Sequence, residues 1–163
     1  MKLANFKKNL KLFQSKLFQL DKVCALMGAG SPEHPLGDGA TSEQGIVYGH
    51  AYAILDVDEF EGEQLVKLRN PHGRSNFTSE WNGDWADESE LWNERAYQKL
   101  KYKPAQDTDG VFWMSTMDFL NAYKYIYICR SLKESDGWYS DTLQSEWKGP
   151  SSAGFPGKFR NLP

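Results

Sequence analysis

A chain of 163 residues with 19 Lys and Arg against 22 Asp and Glu carries a net charge of −3, which leaves no basic footprint for nucleic acid. Hydrophobic residues at 40% and aromatics at 14% exclude a disordered chain and allow a buried core. No apolar run reaches the ~20 residues of a membrane-spanning helix, and Lys2, Lys7, Lys8, Lys11 and Lys16 interrupt any apolar signal core at the N-terminus. In chain order, Leu3, Phe6, Leu10, Phe13, Leu17 and Leu20 recur at steps of three and four, which predicts an amphipathic helix over residues 3–20. Its stripe either packs on its own domain or docks on another protein. Val23 to Met27 reads as a short strand ended by Gly28-Ala29-Gly30-Ser31-Pro32, and residues 31–45 read as a loop. Ile46 to Val57 is a strand with Ala51, Ala53, Leu55 and Val57 on one face and Tyr52 and Ile54 on the other. Both faces being apolar predicts a central strand. Glu61-Gly62-Glu63 turns the chain and Gln64 to Arg69 returns it as a hairpin.

A polar, Trp-bearing loop over residues 73–87 follows, then a helix over Glu88 to Lys99 with Leu91, Trp92, Ala96 and Leu100 inward. Asp107-Thr108-Asp109-Gly110 is a turn, and Phe112-Trp113-Met114 a short strand. Ser115-Thr116-Met117-Asp118 has the form of a helix start, with the helix running to about Tyr123. Tyr125 to Arg130 is a last strand. The expected organisation is a helix at 1–20, a domain at 21–132 and an extended tail at 133–163. Two cysteines, Cys24 and Cys129, without a signal segment point to reduced thiols and a cytoplasmic protein.

The chemistry concentrates on the hairpin. Gly49-His50-Ala51-Tyr52 opens its first strand, and Arg69-Asn70-Pro71 closes its second. Adjacent antiparallel strands bring such residues within side-chain reach. An imidazole held by a neutral carboxamide oxygen is a base fixed in tautomer and orientation, as a thiol protease needs. On residues alone, His50 reads first as a hydrogen-bonded strand histidine, and His34 and His72 say less still. The blocks GHAYAILDV, LVKLRNPHG, EWNGDWAD, DGVFWMSTMDFL and YIYICRSL change that reading. In order and spacing they resemble the second half of the calpain protease core, over roughly residues 20–132. The resemblance implies His50 as catalytic base and Asn70 as its orienter.

The resemblance also implies a Ca²⁺ site with Glu80, Asp87 and Asp109 as carboxylate ligands and Asp107 contributing a backbone carbonyl. Loop-borne hard oxygens suit that ion; solvated surface acids are the alternative. Four departures stand out. The calpain half carrying the nucleophilic cysteine is missing, and neither Cys24 nor Cys129 stands at a helix N-terminus that would lower its pKa. His72 replaces the Trp that follows Asn-Pro in calpains and shields the His–Asn bond. The loop from Gly73 to Glu80 is long. Val111 stands where calpains carry a further calcium-binding carboxylate. The stretch from Trp147 to Asn161 resembles the opening of the β-sandwich domain that follows the calpain core.

The expected fold is α+β: a papain-like half-core, a twisted antiparallel sheet with flanking helices. The expected function is that of a calcium-dependent cysteine endopeptidase subdomain, inactive alone, acting on protein substrates when a protein partner supplies the missing half. The alternative is a non-catalytic module in a cytoskeletal or other large assembly.

Overall fold

The computed structural model describes residues 2–6, 9–23, 26–34, 40–73, 80–104, 109–129, 137, 139 and 141–146. The chain divides into two units, Met1–Ser131 and Leu132–Pro163. In the second unit, the described residues Tyr139 and Leu143 are exposed. The expected sandwich-like stretch from Trp147 to Asn161 lies outside the described residues.

The first unit is α+β. Five strands, β1 (Leu26–Gly30), β2 (Ala51–Phe60), β3 (Glu63–Arg69), β4 (Val111–Ser115) and β5 (Tyr125–Cys129), form one antiparallel sheet. Three helices accompany it: α1 (Leu10–Lys22), α2 (Glu94–Leu100) and α3 (Thr116–Ala122). The strand order is β4-β3-β2-β1-β5, so β2 is the central strand that its apolar composition predicted. Its predicted face assignment fails at one point. The register slips between Ile54 and Asp56, and a bulge of this kind sends the following side chains to the opposite face. Val57 therefore joins Tyr52 and Ile54 in the core, whereas Ala51, Ala53 and Leu55 are exposed.

Other predicted boundaries move for local reasons. The first helix does not start at Leu3. Leu3–Asn5 is a single 3₁₀ turn, and α1 begins after Asn9, whose side chain accepts the Leu12 N–H at 3.0 Å. An acceptor at that position satisfies one of the otherwise unpaired first-turn donors. Leu3, Phe6, Phe13 and Leu17 are all buried in the main core, so the stripe packs on its own domain. The strand predicted over Val23 to Met27 is instead β1 at Leu26–Gly30: Val23 ends α1, and pairing on both sides, to β2 and to β5, carries the strand through the glycines. A Cβ at Gly30 would lie 3.1 Å from the Tyr127 ring, which would have to shift slightly to admit it. The helix predicted over Glu88 to Lys99 shortens to α2, since Asn93 caps it by accepting the Ala96 N–H at 3.0 Å. Residues Glu88 to Trp92 form turns, and Leu91 is exposed. The Ser115 cap holds as predicted, with Oγ accepting the Asp118 N–H at 3.0 Å.

The β3–β4 half of the sheet is covered on both faces. Val66, Leu68, Phe112 and Met114 face a core built with α1 and α3, and Leu65 and Trp113 face a second cluster with Trp85, Trp92, Ala96 and Tyr102. The β1–β5 half is covered on one face. Its outer side leaves Leu26 74% and Tyr127 57% exposed.

Candidate active site

Two backbone anchors bring His50 and Asn70 together. His50 precedes β2 by one residue, so the sheet ladder does not fix it. Ser31 does: its N–H donates to the His50 carbonyl at 3.0 Å, and the His50 N–H donates to Ser31 Oγ at 2.9 Å. Asn70 follows β3 and is buried, 3% exposed. Its N–H donates to the Gly110 carbonyl at 2.8 Å, and its carbonyl accepts the Gly73 N–H at 2.9 Å. With both ends tied, His50 Nε2 lies 2.9 Å from Asn70 Oδ1.

The proton on this bond can be placed. Asn70 Oδ1 also accepts the His72 N–H at 3.1 Å. Two contacts from nitrogen meet at that atom and one is a backbone N–H donor, so it is the carbonyl oxygen of the carboxamide. A carbonyl oxygen accepts, so Nε2 must donate. That leaves Nδ1 as the basic lone pair on a half-buried ring. The ring rests edge-on against Tyr52, centroids 5.1 Å apart at 80°, and the tilted His72 ring packs against it, centroids 4.9 Å apart at 36°. Beneath, Asn70 lines a crevice with Gly45, Tyr52, Glu80, Gly110 and Phe112.

A group of carboxylates gathers beside this site around one phenol. Tyr102 Oη is 2.7 Å from Asp87 Oδ1 and 2.9 Å from the Val111 carbonyl. Burial, then the contact with Asp87, then the charges of Asp109 and Glu80 push this phenol well above its ordinary range. Of the four residues expected to hold calcium, Asp87 touches this phenol and the charges of Asp109 and Glu80 reach it; the fourth, Asp107, lies outside the described residues. Their oxygens are partly committed. Asp87 Oδ1 meets Tyr102, and Asp109 Oδ1 accepts the Val111 N–H at 2.8 Å. Among the described residues no three metal-ligating side chains close around one point.

The pattern of the calpain family cysteine proteases matches residues 1–130. The chain belongs to the calpain family. Over 140 residues it is 43% identical to the calpain-type cysteine protease ADL1 of Oryza sativa subsp. japonica and 39% identical to DEK1 of Arabidopsis thaliana. Each match covers 86% of this chain but 6% of the relative. Calpain-8 of Rattus norvegicus is 35% identical over 138 residues, covering 76% of this chain and 19% of that protein. The chain thus spans about a fifth or less of the relatives it matches.

For a calpain-type site the thiol of Cys129 is poorly placed. Cys129 pairs with Leu26 at one end of β1, and the end near His50 is Gly30, opposite Ala51. Four residues of strand separate the two ends, about 13 Å at the usual rise. Cys24 lies outside the described residues. Among the described residues no helix is long and apolar enough to cross a membrane.

Residue-level reading of the sequence missed Ser31, Gly110 and Tyr102. Ser31 is read as loop because its partner is nineteen positions away, and no local pattern announces such a pin. Tyr102 is one polar tip among eight tyrosines.

The phenols make a pH prediction. Burial raises Tyr52, and burial and the nearby Tyr52 raise Tyr123; Tyr102 is raised as described. An unfolded tyrosine ionises near ~10. Folded phenols resist ionisation, so their stabilising contribution is complete below that pH and is lost as pH rises above it. Denaturation midpoints are expected to fall as pH rises above ~10. An ultraviolet titration in which every tyrosine ionises together near ~10 would contradict this.

Proposed function

We propose that this chain is the base-and-orienter portion of a calpain-type cysteine endopeptidase. The 2.9 Å contact between His50 Nε2 and Asn70 Oδ1 carries the reading. In it, His50 Nδ1 takes the proton of a cysteine thiol that lies outside this 163-residue sequence, and the thiolate attacks the peptide carbonyl. The imidazolium returns its proton to the departing amine, leaving a thioester. His50 then deprotonates a water that cleaves the thioester and regenerates the thiol. Asn70 holds the proton on Nε2 throughout, so that Nδ1 alone takes and gives protons, without adding charge.

Calpains are generally calcium-regulated. Glu80, Asp87 and Asp109 offer the hard oxygens that ion takes, but as arranged they do not close around it. The second reading, a non-catalytic interaction module, is favoured by the exposed outer side of β1, β2 and β5, with Leu26, Leu55 and Tyr127.

Two measurements test the reading. The purified chain is expected not to hydrolyse denatured casein at millimolar Ca²⁺; calcium-dependent hydrolysis lost in Cys24→Ser would place the nucleophile inside this sequence. Nitrogen NMR is expected to show His50 as the Nε2–H tautomer, a preference lost in Asn70→Ala. A dominant Nδ1–H form would remove the base role. Hydrolysis by the native protein that survives His50→Ala would favour the module.

A further inference from the structure

We propose that Tyr102 is a positioning residue for the His50–Asn70 pair, its hydroxyl tying the loop at Asp87 to the start of β4, a tie made by a hydroxyl rather than by a cation. The proposal rests on the reading of Asn70 as the orienter of His50.

The tie begins with a ring that is held in place. Lys101 ends α2 in a left-handed conformation, φ 47, and Tyr102 N–H then donates to the Tyr97 carbonyl at 3.3 Å. The buried ring packs on Trp92, centroids 5.4 Å apart, and edge-on to Trp113 at 6.4 Å. On this ring Lys67 Nζ lies 4.8 Å from the centroid. A buried tyrosine needs a partner for its polar tip. Here the one hydroxyl proton faces two acceptors, Asp87 Oδ1 at 2.7 Å and the Val111 carbonyl at 2.9 Å. The shorter contact has the length of a charge-assisted bond to a carboxylate.

Both ends of the tie are fixed. Beside Asp87, the Ala86 carbonyl accepts Trp92 Nε1–H at 2.8 Å and the Ser89 N–H at 2.9 Å. At the other end, three consecutive residues lead to Asn70. Asp109 Oδ1 accepts the Val111 N–H at 2.8 Å, Val111 pairs with Arg69 across the ladder, and the Gly110 carbonyl accepts the Asn70 N–H at 2.8 Å. The carbonyl that Tyr102 holds is thus next in the chain to the carbonyl that holds Asn70. Without the hydroxyl, the Asp87 carboxylate and the Val111 carbonyl face each other as two acceptors with no proton between them. The turn at 109–111 then shifts, and the Asn70 backbone shifts with it.

The calpain resemblance expects calcium at these carboxylates. Ca²⁺–O distances are about 2.3–2.6 Å, and the phenol oxygen reaches its two oxygens at only slightly greater distances. The hydroxyl therefore fills the space that an ion bridging these two oxygens would take. A neutral hydroxyl needs one carboxylate where calcium gathers several, and Asp109 Oδ1 is committed to the Val111 N–H.

The test is nitrogen NMR of the His50 ring in the purified chain, with hydrogen exchange of the Asn70 amide read alongside and folding checked by circular dichroism. Wild type is expected to show the Nε2–H form in the same proportion at millimolar calcium chloride and in EDTA. Tyr102→Phe removes one oxygen and keeps the ring. It is expected to lower the ratio of the Nε2–H to the Nδ1–H form about tenfold and to speed Asn70 exchange about as much, the size of one lost hydrogen bond. Tyr97→Phe, in the same ring cluster, is expected to change neither. Asp87→Asn keeps an oxygen for the phenol and removes a charge that a cation would need, so it is expected to retain the Nε2–H form. Should Tyr102→Phe fail to fold, Asp87→Ala cuts the tie from its other end and is expected to give the same losses. A folded Tyr102→Phe with wild-type ratio and exchange, an Asp87→Asn as impaired as Asp87→Ala, or a wild-type ratio that collapses in EDTA would overturn the proposal. Failure of the base reading is distinguishable from these: a wild-type ring in the Nδ1–H form refutes the base, while Asn70 exchange still reports on the tie.

Discussion

Gly110→Ala is expected to destabilise the protein by roughly 2–4 kcal/mol and to break the His50–Asn70 bond. Two separate effects combine at this position. Gly110 has φ +79, a left-handed conformation that an L side chain enters at a cost of about 1–2 kcal/mol. An added Cβ would also lie 2.8 Å from the Asn70 carbonyl oxygen and 2.8 Å from Gly73 Cα, so backbone must move. What moves is the turn that aims the carboxamide, because Asn70 N–H donates to the Gly110 carbonyl and Asn70 O accepts from Gly73. Gly62 supplies the control. Its φ is +86, yet nothing lies within 4 Å of a Cβ built there. Gly62→Ala should therefore show the conformational cost alone, about 1 kcal/mol, with the His50 tautomer intact. If the two variants lose equal stability and both keep the Nε2–H ring, Gly110 does not position Asn70.

The same contrast explains what the sequence could disclose. His50 and Asn70 are legible because a hairpin is local. Its turn at Glu61-Gly62 has φ 50 and 86 at its two central residues, the geometry that matches strand twist, and the register from Phe60–Glu63 back to Asp56–Lys67 follows from it. The Ser115 cap is legible for the same reason, since its donor is three positions away. The bulge after Ile54 is not, because no residue type there demands one. Nor is the extension of β1 through Gly28 and Gly30, where pairing to two distant strands outweighs the poor strand preference of glycine. The carboxylates around Tyr102 show the limit most clearly. Loop acids near one another in sequence suggest a shared site, but a buried phenol among them depends on the second core cluster, which no short segment reveals.

Phe13→Ala is expected to cost about 3–5 kcal/mol, a large share of the ~5–15 kcal/mol of a typical domain. The periodicity of the N-terminal segment allows an internal helix or a docking helix, the burial of its stripe shows the internal one, and this substitution measures what that packing contributes. Phe13 is 1% exposed and packs between Phe6, at 5.5 Å, and Phe119 of α3, at 6.0 Å and near parallel. Removing the ring opens a cavity shared by three elements, none of which can close it without leaving its own cap or strand. The neighbouring position separates packing from helix propensity. Leu12 is 45% exposed on the same helix, so Leu12→Ala should change stability by no more than about 0.5 kcal/mol. At about 2–4 °C per kcal/mol for a chain of this size, Phe13→Ala should melt roughly 10 °C lower. A loss below about 1 kcal/mol would mean that α1 is held mainly by its polar contacts, Gln14 Nε2 to Thr116 Oγ1 at 2.8 Å and Gln64 Nε2 to the Gln14 carbonyl at 3.2 Å. The helix would then be a loosely attached element, and the sheet that carries His50 and Asn70 would have to stand without it.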